Sequence, residues 1–138
     1  MEDMSIRRVD YFYATVKDQP CGACHLLCRL QDQGVNLCAF HAIPFGADST
    51  QLVLFPEDPD RLIRAAGSVD MVLTGPQHAI LVQGKDEPGA LGEIHRQLCD
   101  GGVNVYSSYA VGDGAGRFGY VLHIRPDEFE TAARVLNL

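Results

Sequence analysis

The stretches KDQPCGACHLLCRLQDQGVNL (17–37) and KDEPGALGEIHRQLCDGGVNV (85–105) decide the fold, because they align without a gap from end to end. Eight of the 21 aligned positions are identical, whereas average amino-acid usage gives only about one or two identities by chance. Further identities follow when the same alignment is extended, at Ala42/Ala110, Gly46/Gly114, Ala47/Ala115, Val53/Val121 and Leu54/Leu122. We therefore predict two similar units, over residues 8–74 and 76–138, after an N-terminal tail over residues 1–7.

Each unit has the pattern of a strand, a helix, two strands and a second helix. The first strands, VDYFYATV and HAILVQG, are rich in apolar, β-branched and aromatic residues. Pro20 and Pro88 precede the first helices, and Gly34 and Gly102 end them at the position that needs a positive φ. Apolar residues at helical spacing predict one buried stripe on each first helix: Ala23, Leu26, Leu27 and Leu30 in the first unit, and Leu91, Ile94 and Leu98 in the second.

The stretch SVDMVLT (residues 68–74) predicts a fourth strand for the first unit, whereas the second unit ends at Leu138 without an obvious counterpart. The order strand-helix-strand-strand-helix-strand is that of the ferredoxin-like fold. We therefore expect an α+β protein in which each antiparallel sheet carries two helices on one face.

The residues DEPGALG (86–92) and GVNV (102–105) resemble the ACT domain, a regulatory module that binds amino acids. The first unit resembles it less closely, because Cys21 stands where the second unit has Gly89. The resemblance covers nearly the whole chain and implies a stand-alone tandem ACT protein, with its two sheets joined side by side into one continuous sheet. It implies regulation by a free amino acid, with no catalytic activity and no cofactor. We also expect a homodimer, and its regulated partner is left open.

The resemblance places the ligand between the helix-start loop of one domain and the second strand of the other. The start of a helix offers free N–H groups and a positive dipole end to a carboxylate, and acidic side chains can accept from an ammonium group. Site one is then Asp86, Glu87, Gly89, Ala90 and Leu91 with Asn36, and a weaker site two is Asp18, Gly22 and Ala23 with Asn104. An interaction module that keeps the fold but has lost its ligand remains an alternative.

Composition argues against several other functions. The net charge is −7, and no basic stripe is present, which argues against nucleic acid and against anionic membrane surfaces. No apolar run is long enough to span a bilayer, and the N-terminal residues lack the features of a signal peptide. We therefore expect a cytoplasmic protein. No catalytic motif stands out, and GAGRFG (residues 114–119) is typical of a hairpin loop because it lies between two predicted strands.

The stretch CGACH (residues 21–25) matches the attachment pattern of c-type haem, but an expected cytoplasmic location argues against that use. Helical spacing groups Cys21, Cys24 and Cys28 on one flank of the first helix. A cysteine-based metal or redox site is therefore the main alternative function. We favour packing instead, because reduced cysteine behaves as a small apolar residue.

Overall fold

The computed structural model describes residues 4–69 and 71–138. Its helices and strands follow the order βαββα in each half of the chain, as the repeat predicts, and the α+β class is confirmed. The bounds in the first half of the chain are β1 Ser5–Lys17, α1 Gly22–Asp32, β2 Leu37–Pro44, β3 Ser49–Pro56 and α2 Pro59–Ser68. Those in the second half are β4 Thr74–Lys85, α3 Ala90–Asp100, β5 Ser107–Gly112, β6 Arg117–His123 and α4 Pro126–Val135. None of these helices, within the residues described, is long and apolar enough to cross a membrane.

Contacts divide the chain into two compact units. The first unit comprises Asp10–Gln77, and the second comprises His78–Leu138 together with the described residues up to Val9. The long strands β1 and β4 therefore each contribute residues to both units. The strand order is β2-β3-β1-β4 in the first unit and β1-β4-β6-β5 in the second. Strand β3 pairs antiparallel with β1 and β2, and β6 pairs antiparallel with β4 and β5.

The core of the first unit lies between its sheet and its two helices. Alternate residues of β1 and β3 face the helices, as the period of two in a strand requires, and they bury side chains of α1 and α2. The buried members are Phe12, Ala14, Leu30, Leu52, Leu54, Leu62 and Ala65. Because strand residues two apart meet both helices, the two helices lie on the same face of the sheet.

The core of the second unit repeats this arrangement. Its central members Ile80, Val82, Leu98, Tyr120 and Leu122 are the aligned counterparts of Phe12, Ala14, Leu30, Leu52 and Leu54. After a slip of a single position in the alignment, Phe129 and Ala132 of the last helix correspond to Leu62 and Ala65. The apolar face predicted for α4, which also includes Ala133 and Leu136, is buried.

The N-terminal segment contributes to the second unit. The predicted tail over residues 1–7 instead contains the start of β1 at Ser5; residues 1–3 lie outside the described part of the chain. Met4 and Ile6 pack against the second core, and Arg8 forms an ion pair with Glu130 of α4 at 2.8 Å. The strand that the second unit lacked in the sequence is therefore supplied by the start of β1, because β1 neighbours β4 in that unit.

Two local predictions were wrong. No separate strand forms over residues 68–74, because Ser68 ends α2 and β4 begins only at Thr74; Asp70 of that stretch lies outside the described residues. Leu91 was assigned to the buried stripe of α3, but its side chain is 39% exposed. It lies in the first turn of the helix, at the mouth of the concavity described next.

Candidate functional site

The loop between β4 and α3 holds the residues of predicted site one in a compact turn. The amide of Asp86 donates to the carbonyl oxygen of Gly116 at 2.9 Å, which ties the loop to the β5–β6 hairpin. The amide of Ala90 donates to the carbonyl of Glu87 at 3.2 Å, closing the turn. Gly89 precedes the helix with a φ of 91°, a conformation that glycine adopts without steric cost.

The start of α3 presents free donors. In an α-helix the first amides have no acceptor within the helix, and Glu93 is the first whose amide finds one, the carbonyl of Gly89 at 3.0 Å. No side chain caps this end, and no described residue accepts from the amides of Leu91 and Gly92. These N–H groups, with the positive end of the helix dipole, suit a carboxylate.

A concavity of about 360 Å³ opens beside this helix start. It is lined by all five loop residues of predicted site one, Asp86, Glu87, Gly89, Ala90 and Leu91. The opposite wall comes from the end of β5 and from Phe118 of β6. The volume lies within the range of small-molecule sites, about 300–1,000 Å³. The structure therefore brings the loop residues of site one together around a single space.

Gly112 at the end of β5 makes room for the carboxylate of Asp86. A Cβ atom at Gly112 would lie 3.0 Å from Oδ2 of Asp86, closer than normal carbon–oxygen contacts. The Asp86 carboxylate forms no hydrogen bond or ion pair with any residue in the described ranges, whereas Glu87 lies 3.9 Å from Nζ of Lys85. Asp86 is thus an open acceptor for an ammonium group, beside the free amides of α3.

The β5–β6 hairpin, which borders the site, is held by Asp113. Its Oδ1 accepts from the amides of Ala115 at 2.7 Å and Arg117 at 3.1 Å. These two backbone hydrogen bonds, with the nearby charge of Arg117, lower the pKa of the Asp113 carboxyl below its ordinary value. The carboxylate is therefore ionised at neutral pH and braces the loop that accepts from the amide of Asp86.

The opposite wall of the site was not predicted from the sequence. Gly112 and Phe118 lie directly opposite each other in the β5–β6 ladder, and Lys85 pairs with Arg117 beside them. The pairing register therefore brings the end of β5 close to the loop at Asp86. The only signal in the sequence was the glycine-rich turn VGDGAG, which locates the hairpin but not its register.

The loop between β1 and α1 repeats the backbone of its counterpart. The amide of Asp18 donates to Asp48 at 2.8 Å, that of Gly22 to Gln19 at 3.3 Å, and that of His25 to Cys21 at 3.0 Å. Each of these donors and acceptors aligns with its counterpart in the second unit. Cys21 takes the left-handed conformation of Gly89, with a φ of 69°. The two loops thus share one conformation despite their different sequences.

The residues predicted for site two are less concentrated. Gly22 lines a separate cavity of about 650 Å³ in the first unit, but Asp18 and Ala23 are not among its lining residues. Ala23 packs instead against the first core. Asn36 and Asn104 are exposed and precede β2 and β5. Within its own unit each asparagine lies at the opposite end of the strands from the helix-start loop, as the ladder registers require.

The cysteines are all free thiols. The sulfurs of Cys24 and Cys28 lie 3.9 Å apart, and the hydrogen bond and charge interaction with Cys28 raise the pKa of Cys24. Nowhere in the described residues do three or more metal-binding side chains gather. The structure thus does not gather Cys21, Cys24 and Cys28 as three ligands around one point. Cys38 donates to the carbonyl of Phe55 at 3.3 Å, a packing role.

Comparison with known proteins identifies the fold. No family model matches the sequence, and no curated protein matches it significantly. Protein BT0572 from Bacteroides thetaiotaomicron superposes with a TM-score of 0.80 at 17% identity, over 96% of this chain and 88% of its own. The ligand-free regulatory subunit of aspartate kinase from Thermus thermophilus gives a TM-score of 0.63 at 13% identity, over 98% and 95%. The regulatory subunit of aspartate kinase from Thermus flavus gives a TM-score of 0.60 at 11% identity, over 98% of this chain and 95% of its own. The ACT-like fold expected from the sequence is confirmed.

Proposed function

We propose that the chain is a regulatory protein that binds a free amino acid at the loop between β4 and α3. The observation that carries the proposal is the pairing of opposite functional groups around one small space. The unpaired carboxylate of Asp86 faces a ligand ammonium, and the free amides of Leu91 and Gly92 face a ligand carboxylate. Both ends of a zwitterion are thus matched by groups that are only a short loop apart.

The fold supports a regulatory role. Two of the similar structures are regulatory subunits of aspartate kinase, and the proposal extends that kind of role, without a catalytic activity, to this chain. Coupling requires that the ligand bind two states of the protein with different affinity. On the resemblance to the ACT domain, we further propose that Asn36 belongs to this site. A second, weaker site would comprise Asp18, Gly22 and Ala23 with Asn104. We also propose that the protein is a homodimer.

The test is a screen of the twenty common amino acids by thermal unfolding, followed by calorimetry of each hit. A ligand at about 100 times its Kd stabilises the native state by about 2.7 kcal/mol. Asp86→Asn removes the charge but keeps the shape, and we expect it to weaken binding roughly tenfold to hundredfold, because a charge-assisted hydrogen bond is lost. Asp100→Asn, at the other end of α3 and outside the concavity, removes the same charge and is the matched control that leaves this binding unchanged.

A second pair of variants tests the geometry of the site. Gly112→Ala places a methyl group 3.0 Å from Oδ2 of Asp86, and so displaces the carboxylate and weakens binding. Gly119→Ala, on the strand paired with β5, meets no atom within 4 Å and serves as the control. Asn36→Ala tests the additional residue in the same assay.

A screen without any hit, or a hit that Asp86→Asn leaves unchanged, contradicts the proposal. Zinc or iron in the purified protein together with no hit favours the cysteine-based alternative.

A further inference from the structure

Ser108, Tyr120 and His95 form a hydrogen-bonded polar cluster in the second unit. The Tyr120 hydroxyl donates to Oγ of Ser108 at 3.0 Å, and Nε2 of His95 lies within hydrogen-bond distance of the same hydroxyl. The rings of His95 and Tyr120 also pack against each other, with their centroids 5.8 Å apart. Tyr120 is buried, whereas His95 and Ser108 are exposed. The polar cluster therefore connects the core of the unit to its surface.

The three positions of the polar cluster are apolar in the first unit, where the aligned residues are Leu27, Phe40 and Leu52. Leu52 is fully buried in the first core. Apolar side chains therefore fit the same backbone. A buried hydroxyl, in contrast, must be hydrogen-bonded, and leaving it without a partner costs about 1–3 kcal/mol. Packing alone does not require the polar cluster, and recognition of a polar group is a function that does.

The polar cluster lies at one end of the concavity beside Asp86, because each of its members neighbours a residue of the lining. His95 follows Leu91 by one turn on the same flank of α3, which separates them by about 5–6 Å. Tyr120 lies opposite Ala110 in the β5–β6 ladder. Ser108 precedes Ala110 by two residues and faces the same side of β5, at a distance of about 7 Å along the strand.

The Ser108 hydroxyl can both donate and accept. A serine hydroxyl has one proton and two lone pairs, and Tyr120 occupies one of those lone pairs. Because the single phenolic proton of Tyr120 goes to Ser108, the imidazole of His95 donates to Tyr120 through Nε2–H and holds the phenol in place. The remaining proton and lone pair of Ser108 match the C=O and the N–H of an amide.

We propose that the bound amino acid carries a side-chain amide, as glutamine does, and that the polar cluster selects it through Ser108. This inference rests on the proposed function, in which the ligand ammonium lies at Asp86 and the ligand carboxylate at the start of α3. The lining that these two groups leave for the ligand side chain includes Ala110 and Phe118. In an extended glutamine the amide lies about 5 Å from Cα, and a hydrogen bond adds about 3 Å. This reach spans the distance of about 7 Å from Ala110 to Ser108.

Calorimetry with two ligands of the same shape tests the selection. Glutamine carries the amide, and homoleucine has two methyl groups in place of the amide oxygen and nitrogen. We expect glutamine to bind roughly tenfold more tightly, since homoleucine forms no hydrogen bond with Ser108. Equal affinity, tighter binding of homoleucine, or a screen in which other amino acids bind but glutamine does not, overturns this inference and leaves the proposed function in place. If no amino acid binds, the proposed function fails and this inference fails with it.

Variants of β5 locate the selection at Ser108. Ser108→Ala removes the hydroxyl from an exposed position, and we expect the ratio of the two affinities to fall to about one. A change in folding alone would weaken both ligands together and leave the ratio unchanged. Ser107→Ala is the matched control that keeps the preference for glutamine, because successive side chains of a strand face opposite sides of the sheet. A ratio that Ser108→Ala leaves unchanged refutes the role of the polar cluster.

Discussion

The helix-start loops of the two units have the same backbone conformation, but the glycine stands at a different position in each. In the second unit Gly89 occupies the left-handed position and Ala90 follows it. In the first unit Cys21 occupies the left-handed position, and Gly22 follows it. A Cβ atom at Gly22 would lie 2.9 Å from the carbonyl oxygen of Lys17. The glycine of the first loop is therefore required by close packing, whereas that of the second is required by its φ angle.

The comparison shows that a shared conformation does not imply a shared chemistry. Around the second loop the lining residues include Asp86 and Glu87, and the helix start lies open beside Gly112. In the first unit, Pro44 is the residue that aligns with Gly112, and the larger cavity is lined by Arg29 and His25 instead. The repeat therefore preserves the hydrogen bonds of the loop while the surrounding side chains differ in charge.

The largest expected effect comes from Gly22→Ala. The added methyl group would meet a backbone oxygen that cannot rotate away, so the loop must shift, and we expect a loss of about 1–3 kcal/mol in the free energy of unfolding. Gly67→Ala in α2 meets no atom within 4 Å, and it stabilises by up to about 1 kcal/mol because alanine favours the helix. Urea denaturation measures both. Equal stability of the two variants would refute the packing requirement.

A smaller effect on stability, of opposite sign in the two units, is expected at the left-handed positions Gly89 and Cys21. The methyl group of Gly89→Ala would meet no atom within 4 Å, but the positive φ at this position is unfavourable for alanine, so the substitution destabilises by about 1–2 kcal/mol. Cys21→Gly relieves that strain, and stabilises by about 0.5–1 kcal/mol after the greater freedom of glycine in the unfolded chain is subtracted. The same denaturation assay measures both changes. If the two substitutions shift stability in the same direction, the loops do not share the conformation described.

The smallest expected effect is a difference between the β5–β6 and β2–β3 hairpins in how their contributions to stability depend on pH. The pKa of Asp113 is lowered in the folded state, so its contribution is complete above the ordinary value of 3.8 and disappears as the pH falls through the folded pKa. Asp113→Asn keeps the acceptor oxygen but cannot titrate. We expect its stability to change less than that of the wild type between about pH 5 and about pH 3. Phe45 holds the equivalent position of the first hairpin and contributes no such titration, so Phe45→Ala leaves the pH profile unchanged.

Much of the fold could be predicted because it depends on local patterns. The buried stripe at Ile94 and Leu98, the face of α4 and the positive φ of Gly34 and Gly102 all follow from periodicity and from the steric freedom of glycine. Leu91 was misassigned because Ala90 and Leu91 both have helical spacing to Ile94, and Ala90 is the residue that packs against the core. Spacing of three or four residues alone does not decide which of two neighbours is buried.

By itself, the sequence determined the two βαββα units, their alignment with each other and the loop residues from Asp86 to Leu91 as one candidate site, since each depends on neighbours close in the chain. Only the tertiary structure decided which residues complete those units. The start of β1 joins the second unit, Gly112 forms the far wall at Asp86, and Arg29 lines a cavity with Phe45. These relations depend on strand register and on contacts between residues distant in sequence. No local pattern of residues encodes them, because many registers satisfy the same alternation of apolar and polar side chains.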